Sequence, residues 1–383
     1  MKIGLLGLGT IGSGVYEHIL KRDDMQVVRI LELLRHPGLE QLETSDFNEI
    51  LNDPQIDTVV ELIGGMEPAH TFTVQALKAG KNVVSANKLM ISHHMEELLN
   101  LAREMGVQYR YDASVGGSIP FLYNLMRHRS ADRLVAISGI VNGTTNLILD
   151  VMQNEGRAFD DVLAEAQKLG YAEANPSADI DGIDAQSKLC IASAVAYQEY
   201  VRPEDVDTEG IRHISDADLI YFRQLGRVCR LIVSSSLNPG DTVSAYVEPT
   251  LVREGSTEAA VHMNDNSICV TGEYFGTHTF QGQGAGKDPT TFAVELSLRD
   301  ILDGVTARMN PIPDGRAKVD NRTARHAYYL RTCAHPGVPV KALGSCGAAT
   351  AYLTEQMSVR EMHALAQALR EKDPGLFFAG IRE

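Results

Sequence analysis

Apolar residues follow two spacings along residues 1–133, and the two spacings predict two kinds of element. Apolar residues three and four positions apart predict helices at Ile11–Lys21, Phe72–Ala79 and Met95–Met105. Short β-branched runs between these helices predict strands at Lys2–Leu6, Val27–Leu33, Thr58–Ile63, Asn82–Ser85 and Val107–Tyr111. Strands that alternate with helices are typical of an α/β domain, in which helices cover both faces of a parallel sheet.

The pattern changes at residue 134, after which strands follow one another more often. Helices are predicted at Phe159–Leu169 and Ala185–Tyr200. Strands are predicted at Val135–Ile140, Val228–Ser235, Val243–Val247, Ser267–Gly272 and His278–Gln281. This pattern favours an α+β domain over residues 134–284, and a helix at Phe292–Leu302 is expected to return to the first domain, so that residues 285–302 complete it.

The carboxyl-terminal part of the chain predicts a linker and a small third segment. Proline and glycine recur over residues 303–321, which indicates a linker. Residues 322–383 then predict a strand at Tyr328–Thr332, a helix at Val359–Arg370 and a strand at Leu376–Ile381. We expect a short α+β segment there.

Composition excludes several classes of protein. A net charge of −15 over 383 residues opposes attraction to nucleic acid or to an anionic membrane surface. No apolar run reaches the ~18 residues that a membrane-spanning helix needs. The five cysteines form no CxxC pair, which fits a reducing compartment, and we expect a cytoplasmic protein; they are Cys190, Cys229, Cys269, Cys333 and Cys346.

A glycine-rich turn directly follows the first strand. Gly7-Leu8-Gly9-Thr10-Ile11-Gly12 matches GxGxxG, lies after an apolar strand and opens a helix, which is the context that gives this motif its meaning. Gly7 allows the tight turn, Gly9 lets a pyrophosphate approach the backbone, and Gly12 permits close packing of helix on sheet. The turn predicts a Rossmann-like domain that binds a nicotinamide dinucleotide, with Thr10 and Ile11 at the phosphates.

Two residues point to different dinucleotides. Glu32 lies 20 residues beyond Gly12, where a carboxylate binds the ribose 2′-hydroxyl of NAD. Arg35 follows it and can meet the 2′-phosphate of NADP. If the second strand continues to Leu34, Arg35 lies at its carboxyl end, and this placement slightly favours NADP over NAD.

Polar residues interrupt otherwise apolar stretches of the sequence at four places. Lys88 follows a buried strand, a glycine-rich loop spans 112–120, and small polar residues fill 142–146. Glu173, Asp179 and other acidic residues precede Asp184 and Lys188, which lie four residues apart on one predicted helix. Such a pair is usually a surface ion pair. Here the helix continues as LCIASAVAY, which is apolar, so Lys188 is a candidate acid/base group whose ammonium is desolvated.

Together these clusters resemble the homoserine dehydrogenase family over residues 1–302. The motifs that carry the resemblance are GLGTIG (7–12), VELIGG (60–65), VVSANK (83–88), DASVGGSIP (112–120), GIVNGTTNLIL (139–149), EAQKLGYAEANPSADIDGIDAQSK (165–188) and QGQGAGKDPT (281–290). The resemblance implies interconversion of aspartate 4-semialdehyde and homoserine on the route to threonine and methionine. It also implies a dimer formed through the middle sheet.

The resemblance assigns roles to individual residues. Lys188 is expected to donate or accept the reacting proton, with Lys88 beside the nicotinamide and the reacting oxygen. Glu173 and Asp184 are expected to hold homoserine, and Asp179 is a further candidate for its amino group. Cofactor contacts are expected at Gly7, Gly9, Thr10, Ile11, Gly12, Arg35, Ser85, Lys88 and Gly286. A sodium ion is expected at Asp112, Val115, Gly117 and Ile119, although the family commonly has glutamate at the first position.

The carboxyl-terminal segment departs from the family pattern. Many bacterial members end in a βαββαβ regulatory (ACT) module that senses threonine, and Tyr328–Thr332 resembles its first strand. The middle hairpin is expected to be missing, and glycine and alanine replace the first helix around Gly344–Ala349. We therefore expect a reduced ACT-like segment over 322–383.

Two other functions remain open at this stage. A dehydrogenase that acylates a cysteine needs a reactive thiol, and Cys190, inside an apolar stretch, is a poor candidate. A catalytically silent cofactor sensor would have lost the acid/base lysine, whereas Lys88 and Lys188 are both present.

Overall fold

The computed structural model describes residues 1–305 and 313–382. In chain order the helices are α1 (Thr10–Ile19), α2 (Asn48–Leu51), α3 (Ala69–Lys78), α4 (Lys88–Met105), α5 (Phe121–Arg129), α6 (Gly143–Glu155), α7 (Phe159–Lys168), α8 (Ser177–Ile180), α9 (Ile183–Tyr197), α10 (Asp216–Gln224), α11 (Lys287–Leu302) and α12 (Val359–Arg370). None of the helices in these two ranges has the length and apolar character needed to cross a membrane.

The strands are numbered in the same way. They are β1 (Lys2–Leu6), β2 (Gln26–Leu31), β3 (Glu43–Thr44), β4 (Thr58–Glu61), β5 (Asn82–Ser85), β6 (Tyr109–Arg110), β7 (Leu134–Ile140), β8 (Glu199–Tyr200), β9 (Asp207–Thr208), β10 (Arg227–Asn238), β11 (Thr242–Arg253), β12 (Asp265–Gly272), β13 (Gly276–Gln283), β14 (Gly315–Arg316), β15 (Arg325–Thr332), β16 (Val340–Cys346), β17 (Ala349–Thr354), β18 (Met357–Ser358) and β19 (Phe377–Ile381).

The chain divides into two compact units. The first unit comprises residues 1–133, 190–200 and 283–316, and the second comprises 134–189, 201–282 and 317–383. The domain prediction places 322–383 in a segment of its own, whereas these residues group with the second unit. Part of the predicted linker, 306–312, lies outside the described residues.

A parallel sheet with the order β3-β2-β1-β4-β5-β6 forms the centre of the first unit. All of its neighbouring strands are parallel, which confirms the predicted α/β class. The direction of strand order reverses between β1 and β4, and ligands of such sheets bind at this switch point, beyond the carboxyl ends of the strands. The residues that follow β1, β4 and β5 are therefore those expected to face a ligand.

Helix α11 returns to the first unit and packs closely on α1. A Cβ atom added to Gly14 of α1 would lie 2.4 Å from the hydroxyl oxygen of Thr291 and 3.0 Å from Cγ of Lys287. A larger residue at this position would require the side chains of Thr291 and Lys287 to move. Ala293, Val294 and Leu298 of α11 are buried in the same apolar cluster as the first strand.

Several predicted boundaries in the first unit were wrong, and side-chain hydrogen bonds lie at two of them. Strand β2 ends at Leu31, because the side chain of Glu32 accepts hydrogen bonds from the N–H groups of Leu33 and Leu34 and turns the chain. Helix α4 begins at Lys88, seven residues before the predicted start. The side chain of Asn87 caps this start, because its Oδ1 accepts a hydrogen bond from the N–H of Met90 at 3.2 Å.

The second unit is built on a mixed sheet with the order β13-β12-β7-β10-β11-β19-β15-β17-β16. Its longest pairing joins β10 and β11 in antiparallel register, from Arg227 opposite Arg253 to Asn238 opposite Thr242. Both strands extend beyond the bounds predicted from the sequence. The prediction missed the last residues of β10 and the second half of β11, Glu248–Arg253, most of which is buried.

The carboxyl-terminal segment continues this sheet. Strand β19 pairs in parallel with β11 and antiparallel with β15. The expected absence of the hairpin was wrong, because β16 and β17 pair as an antiparallel hairpin. No helix lies between β15 and β16 in the described chain, so the order here is strand, hairpin, helix and strand rather than βαββαβ.

The buried carboxylate of Asp218 in α10 joins this segment to the rest of the unit. Its Oδ1 accepts hydrogen bonds from the Tyr329 hydroxyl at 2.7 Å and from Nε of Arg331 at 2.8 Å. Its Oδ2 accepts from the N–H and hydroxyl of Ser215, which completes a capping box at the start of α10. One buried charge therefore satisfies donors from both α10 and β15.

Replacement of this carboxylate is expected to destabilise the second unit. Asp218→Ala leaves the largely buried guanidinium of Arg331 without its anion, which should lower the free energy of unfolding by about 3–5 kcal/mol. Asp216→Ala, at an exposed position in the same helical turn, is the matched control and should cost less than about 1 kcal/mol. Urea unfolding followed by circular dichroism measures both. Equal losses in the two variants would show that Asp218 does not hold the segment.

Candidate active site

The glycine-rich turn after β1 is shaped by its own backbone. Gly7 has φ +92° and lies so close to the next loop that a Cβ atom there would be 3.0 Å from the carbonyl oxygen of Leu62. A Cβ atom on Gly12 would lie 2.1 Å from the carbonyl oxygen of Gly7. The third glycine therefore lets the first turn of α1 pack closely on the backbone that directly follows β1.

The same turn leaves room at its second glycine. Gly9 is the N-cap of α1. Among the described residues, its chain neighbours aside, no atom lies within 4 Å of a Cβ atom placed there, and no side chain caps the first helical turn. Thr10 is exposed and Ile11 half-buried directly after it. Free N–H groups and open space at the positive end of a helix fit a pyrophosphate.

Glu32 lies at the end of β2 and holds the glycine turn. Its Oε2 accepts a hydrogen bond from the N–H of Leu8 at 2.8 Å. Burial opposes ionisation, but hydrogen bonds from the N–H groups of Leu8, Leu34 and Leu33 outweigh it and lower the pKa of this carboxyl. Arg35 instead turns to the carbonyl oxygen of Glu43, at 3.3 Å, with 63% of its side chain exposed. The carboxylate, rather than the guanidinium, contacts the turn.

A buried carboxylate that the sequence analysis missed connects the ends of β4 and β5. Glu61 accepts a hydrogen bond from the hydroxyl of Ser85 at 2.6 Å and from the N–H of Ile63 at 2.9 Å. Burial raises the pKa of Glu61. The Ser85 hydroxyl in turn accepts from the N–H of Asn87, the residue before Lys88. Lys88 is the first residue of α4 and is half-buried.

The loop 112–120 lies against the second glycine-rich turn. Gly117 has φ +53°, and a Cβ atom there would be 2.8 Å from the carbonyl carbon and oxygen of Gly284. The hydroxyl of Ser118 donates to the carbonyl oxygen of Gln283 at 3.2 Å. Gly286, with φ +117°, is the N-cap of α11. The loop 112–120 and the glycine-rich turn at 283–286 are therefore in contact, although Ser118 and Gln283 are 165 residues apart along the chain.

Asp112 carries an acceptor that the described residues do not satisfy. Its Oδ1 is buried without a hydrogen-bond partner among them, whereas Oδ2 accepts a long bond of 3.3 Å from the hydroxyl of Ser297. Burial raises the pKa of Asp112. Val115 and Ile119 of the same loop are also buried. A cation beside Oδ1 would satisfy this oxygen.

In the second unit, Lys188 and Asp184 form a buried pair. Nζ of Lys188 donates to Oδ2 of Asp184 at 2.8 Å and to the carbonyl oxygen of Val141 at 2.6 Å. Only 6% of the lysine side chain and 4% of the aspartate side chain are exposed. The pair is therefore not the surface ion pair that its spacing usually indicates.

Asn142 joins this pair to a second carboxylate. Its Nδ2 donates to Oδ2 of Asp184 at 2.8 Å and to Oδ1 of Asp179 at 2.7 Å. Its Oδ1 accepts from the N–H of Thr145 and caps α6. Asn142 belongs to the quoted GIVNGTTN motif but was not among the predicted site residues. Its position between the end of a strand and the start of a helix could have identified it as a site residue.

Glu173 is not joined to this group by any described contact. Its side chain is exposed, and its carbonyl oxygen accepts a hydrogen bond from Gln167 at 3.0 Å. The neighbouring Tyr171 carbonyl oxygen accepts from the hydroxyl of Thr144 at 2.8 Å, which holds the start of this loop on α6. The structure thus brings Asp179, Asp184 and Lys188 together and leaves Glu173 in solvent.

Two models of protein families match this chain. Residues 7–112 match the model of the NAD-binding domain of homoserine dehydrogenase, and residues 120–302 match the model of homoserine dehydrogenase. The glycine turn lies in the first match, and Asp184 and Lys188 lie in the second.

Relatives match over most of the chain. A homoserine dehydrogenase of Synechocystis sp. is 40% identical over 322 residues, which cover 80% of this chain and 74% of the relative. The crystal structure of a homoserine dehydrogenase from Thiobacillus denitrificans is 32% identical, with a TM-score of 0.86, and covers 100% of this chain and 98% of that one. A hyperthermophilic archaeal homoserine dehydrogenase in complex with NADPH is 25% identical, with a TM-score of 0.68 over 78% of this chain and 96% of that one. This chain belongs to the homoserine dehydrogenase family.

Proposed function

We propose that the protein interconverts L-homoserine and L-aspartate 4-semialdehyde, with Lys188 as the proton donor and acceptor, in threonine and methionine biosynthesis. The buried ammonium of Lys188 is the observation that carries this proposal. A charged lysine with only 6% of its side chain exposed is costly to bury unless it is paired, and Lys188 is paired with the carboxylate of Asp184 and the carbonyl oxygen of Val141.

Reduction of the semialdehyde requires a proton donor placed at the carbonyl oxygen, and it does not require a nucleophilic side chain. When bound, the nicotinamide dinucleotide supplies or accepts the hydride. As hydride reaches the semialdehyde carbon, negative charge develops on the carbonyl oxygen, and the ammonium of Lys188 stabilises that charge and donates a proton to it. In the reverse direction the neutral amine takes the proton from the hydroxyl. Asp184 fixes the direction of Nζ throughout.

Further residues are proposed to bind the amino acid. Asp179 and Asp184 both accept hydrogen bonds from the amide of Asn142, and two carboxylates held this close together suit the cationic amino group of homoserine. Glu173 is proposed to join them only if its loop moves, since its side chain is exposed. Lys88, at the amino end of α4, is proposed to contact the reacting oxygen beside the nicotinamide.

Loop 112–120 is proposed to bind a sodium ion. The buried Oδ1 of Asp112 supports this proposal, because a buried acceptor without a donor is costly and a hard cation favours oxygen. Asp112, Val115, Gly117 and Ile119 would hold the ion, in part through carbonyl oxygens. The ion would fix the loop that lies against the turn at 283–286.

NAD is proposed to be preferred over NADP. The slight preference for NADP required β2 to reach Leu34, and β2 ends at Leu31. Glu32 then lies at the strand end with its carboxylate on Leu8, where it can accept the ribose hydroxyl and repel a 2′-phosphate. Leu33 and Leu34 are 84% and 71% exposed beside it, which suits contact with an adenine ring.

A homodimer formed through the sheet of the second unit is also proposed. This sheet ends at β13, most of whose residues are exposed, and Tyr274 beside it is 86% exposed. Natural proteins seldom leave such an edge without cover.

The cysteine-acylating alternative lacks a suitable thiol. Cys190 is 1% exposed inside α9. Burial raises the pKa of Cys229 to about 12 and also raises the pKa of Cys269, Cys333 and Cys346. A catalytic thiol needs a lowered pKa.

Loss of Lys188 is expected to abolish turnover while dinucleotide binding remains. Lys188→Ala should lower kcat for homoserine oxidation by about 100- to 10,000-fold, the range for removal of a general acid/base group. The dissociation constant of the dinucleotide, measured by fluorescence titration, should change less than about twofold, since the glycine turn is intact. Lys168→Ala, at an exposed position of α7, is the matched control. Near-normal turnover of folded Lys188→Ala would refute the assignment.

Removal of the Glu32 carboxylate is expected to relax the choice of dinucleotide. Wild-type kcat/KM should favour NAD by about tenfold or more, because two like charges 4 Å apart cost about 4 kcal/mol at an effective dielectric constant of 20. Glu32→Ser should raise kcat/KM for NADP and lower it for NAD. Arg35→Ala is the companion variant. A wild-type preference for NADP that Arg35→Ala abolishes would show that the guanidinium holds a 2′-phosphate.

A further inference from the structure

Two histidines and a glutamate from α3 and α4 meet in the first unit, and none of them has a role in the proposed reaction. Nε2 of His70 lies 2.9 Å from Oε2 of Glu97, and Nδ1 of His94 lies 3.3 Å from the same oxygen. His94 and Glu97 are three residues apart on α4 and so share one face of it. Within the described part of the chain, this is the one group of three or more such side chains whose ligand atoms all lie within 4.8 Å of one another.

The side chain of Glu67 orients His70 from the opposite side. Its Oε1 lies 3.3 Å from Nδ1 of His70. Its other oxygen accepts hydrogen bonds from the N–H of Thr71 at 3.3 Å and from the hydroxyl at 2.8 Å, so the carboxylate is held in place. A carboxylate on the far nitrogen of a histidine is the usual outer partner of a metal-binding imidazole.

The hydrogen-bond donors of a neutral His70 do not suffice for both carboxylates. A neutral imidazole has one N–H donor and one acceptor. If Nδ1 donates to Glu67, then Nε2 is an acceptor that faces another acceptor, Oε2 of Glu97, at 2.9 Å. A cation near these two atoms removes the conflict, and it would also attract Nδ1 of His94.

The surroundings favour a metal ion over an added proton. The imidazole rings of His70 and His94 are stacked with centroids 3.8 Å apart, so two protonated rings would repel each other. The side chains of His70 and His94 are 17% and 30% exposed, whereas Glu97 is 50% exposed and leaves a path for an ion and a water ligand.

We propose that His70, His94 and Glu97 form a site for a divalent transition metal such as zinc, with Glu67 as the outer partner of His70. Four-coordinate zinc with bonds of about 2.0–2.1 Å has ligand atoms about 3.3 Å apart. The distances of 2.9 and 3.3 Å are close to this value, and small side-chain rotations can open the stacked rings around the ion. Two imidazoles and one carboxylate suit zinc rather than magnesium or calcium, which prefer oxygen ligands.

A metal at this site would join α3 to α4. His70 belongs to the first turn of α3, and the other two ligands belong to the second and third turns of α4. Binding to the folded form alone raises stability by mass action, so zinc should raise the melting temperature of the protein.

The test is a zinc titration of the full chain after treatment with a chelator. Competition with a chromophoric chelator measures affinity and stoichiometry at pH 7.5, and cobalt(II) absorption reports coordination geometry. We expect one tight equivalent in the wild type, and binding at least about tenfold weaker in His94→Ala and Glu97→Gln. His93→Ala is the matched control, because His93 is exposed on the same helix and its Nδ1 lies 2.9 Å from the carbonyl oxygen of Leu89. Its affinity should stay within about twofold of the wild type.

Two outcomes would overturn the proposal. One is equal zinc affinity in the wild type, His93→Ala, His94→Ala and Glu97→Gln, which would place any bound zinc on other histidines or cysteines. The other is an absence of binding together with a rise in melting temperature at acidic pH that Glu97→Gln abolishes, which would mean that a proton holds the cluster. Dinucleotide titrations of the same variants check that the first unit is folded.

Discussion

The second unit is organised around a charge that its interior must keep satisfied. The ammonium of Lys188 is buried, and its two described partners come from different parts of the chain, the carbonyl oxygen at the end of β7 and a carboxylate one turn earlier in α9. Asn142 extends the arrangement, because its side chain caps α6 and also donates to Asp184. A strand end, a helix start and the first turn of a second helix are thus fixed relative to one another. The hydrogen bonds that compensate for burial of the Lys188 ammonium also fix the direction in which it points.

Element type could be predicted from the sequence wherever apolar periodicity is strong. Strands β1 and β5 and helix α12 have the predicted bounds. The errors arise where polar contacts decide the structure. The side chain of Glu32 ends β2 by accepting hydrogen bonds from the N–H groups that follow it, and the side chain of Asn87 caps the start of α4. The hairpin of β16 and β17 was missed because its residues are small and half-exposed, so they show little alternation, and their order follows from pairing with β15.

The candidate site was predictable to the extent that it lies on regular elements. The four-residue spacing of Asp184 and Lys188 placed both on one helix face, and the apolar continuation of that helix indicated burial. Contacts between distant segments gave no such signal. The bond from Ser85 to Glu61, the approach of Gly117 to Gly284, and the bridge from Asn142 to Asp179 depend on how strands and loops meet. Glu173 was predicted at the site from a loop motif, but such a motif does not determine the direction of a side chain, and the side chain of Glu173 is exposed.

The position of β19 has a consequence for the order in which the second unit can form. This strand consists of residues 377–381, yet it lies inside the sheet, between β11 and β15. Until residues 377–381 have been synthesised and have docked, the edge of β11 at Thr250 and Leu251 keeps unpaired N–H and C=O groups, and such open edges invite association with other chains. A nascent chain stalled, or cleaved, a few residues before β19 would carry every proposed catalytic residue and still be prone to aggregate.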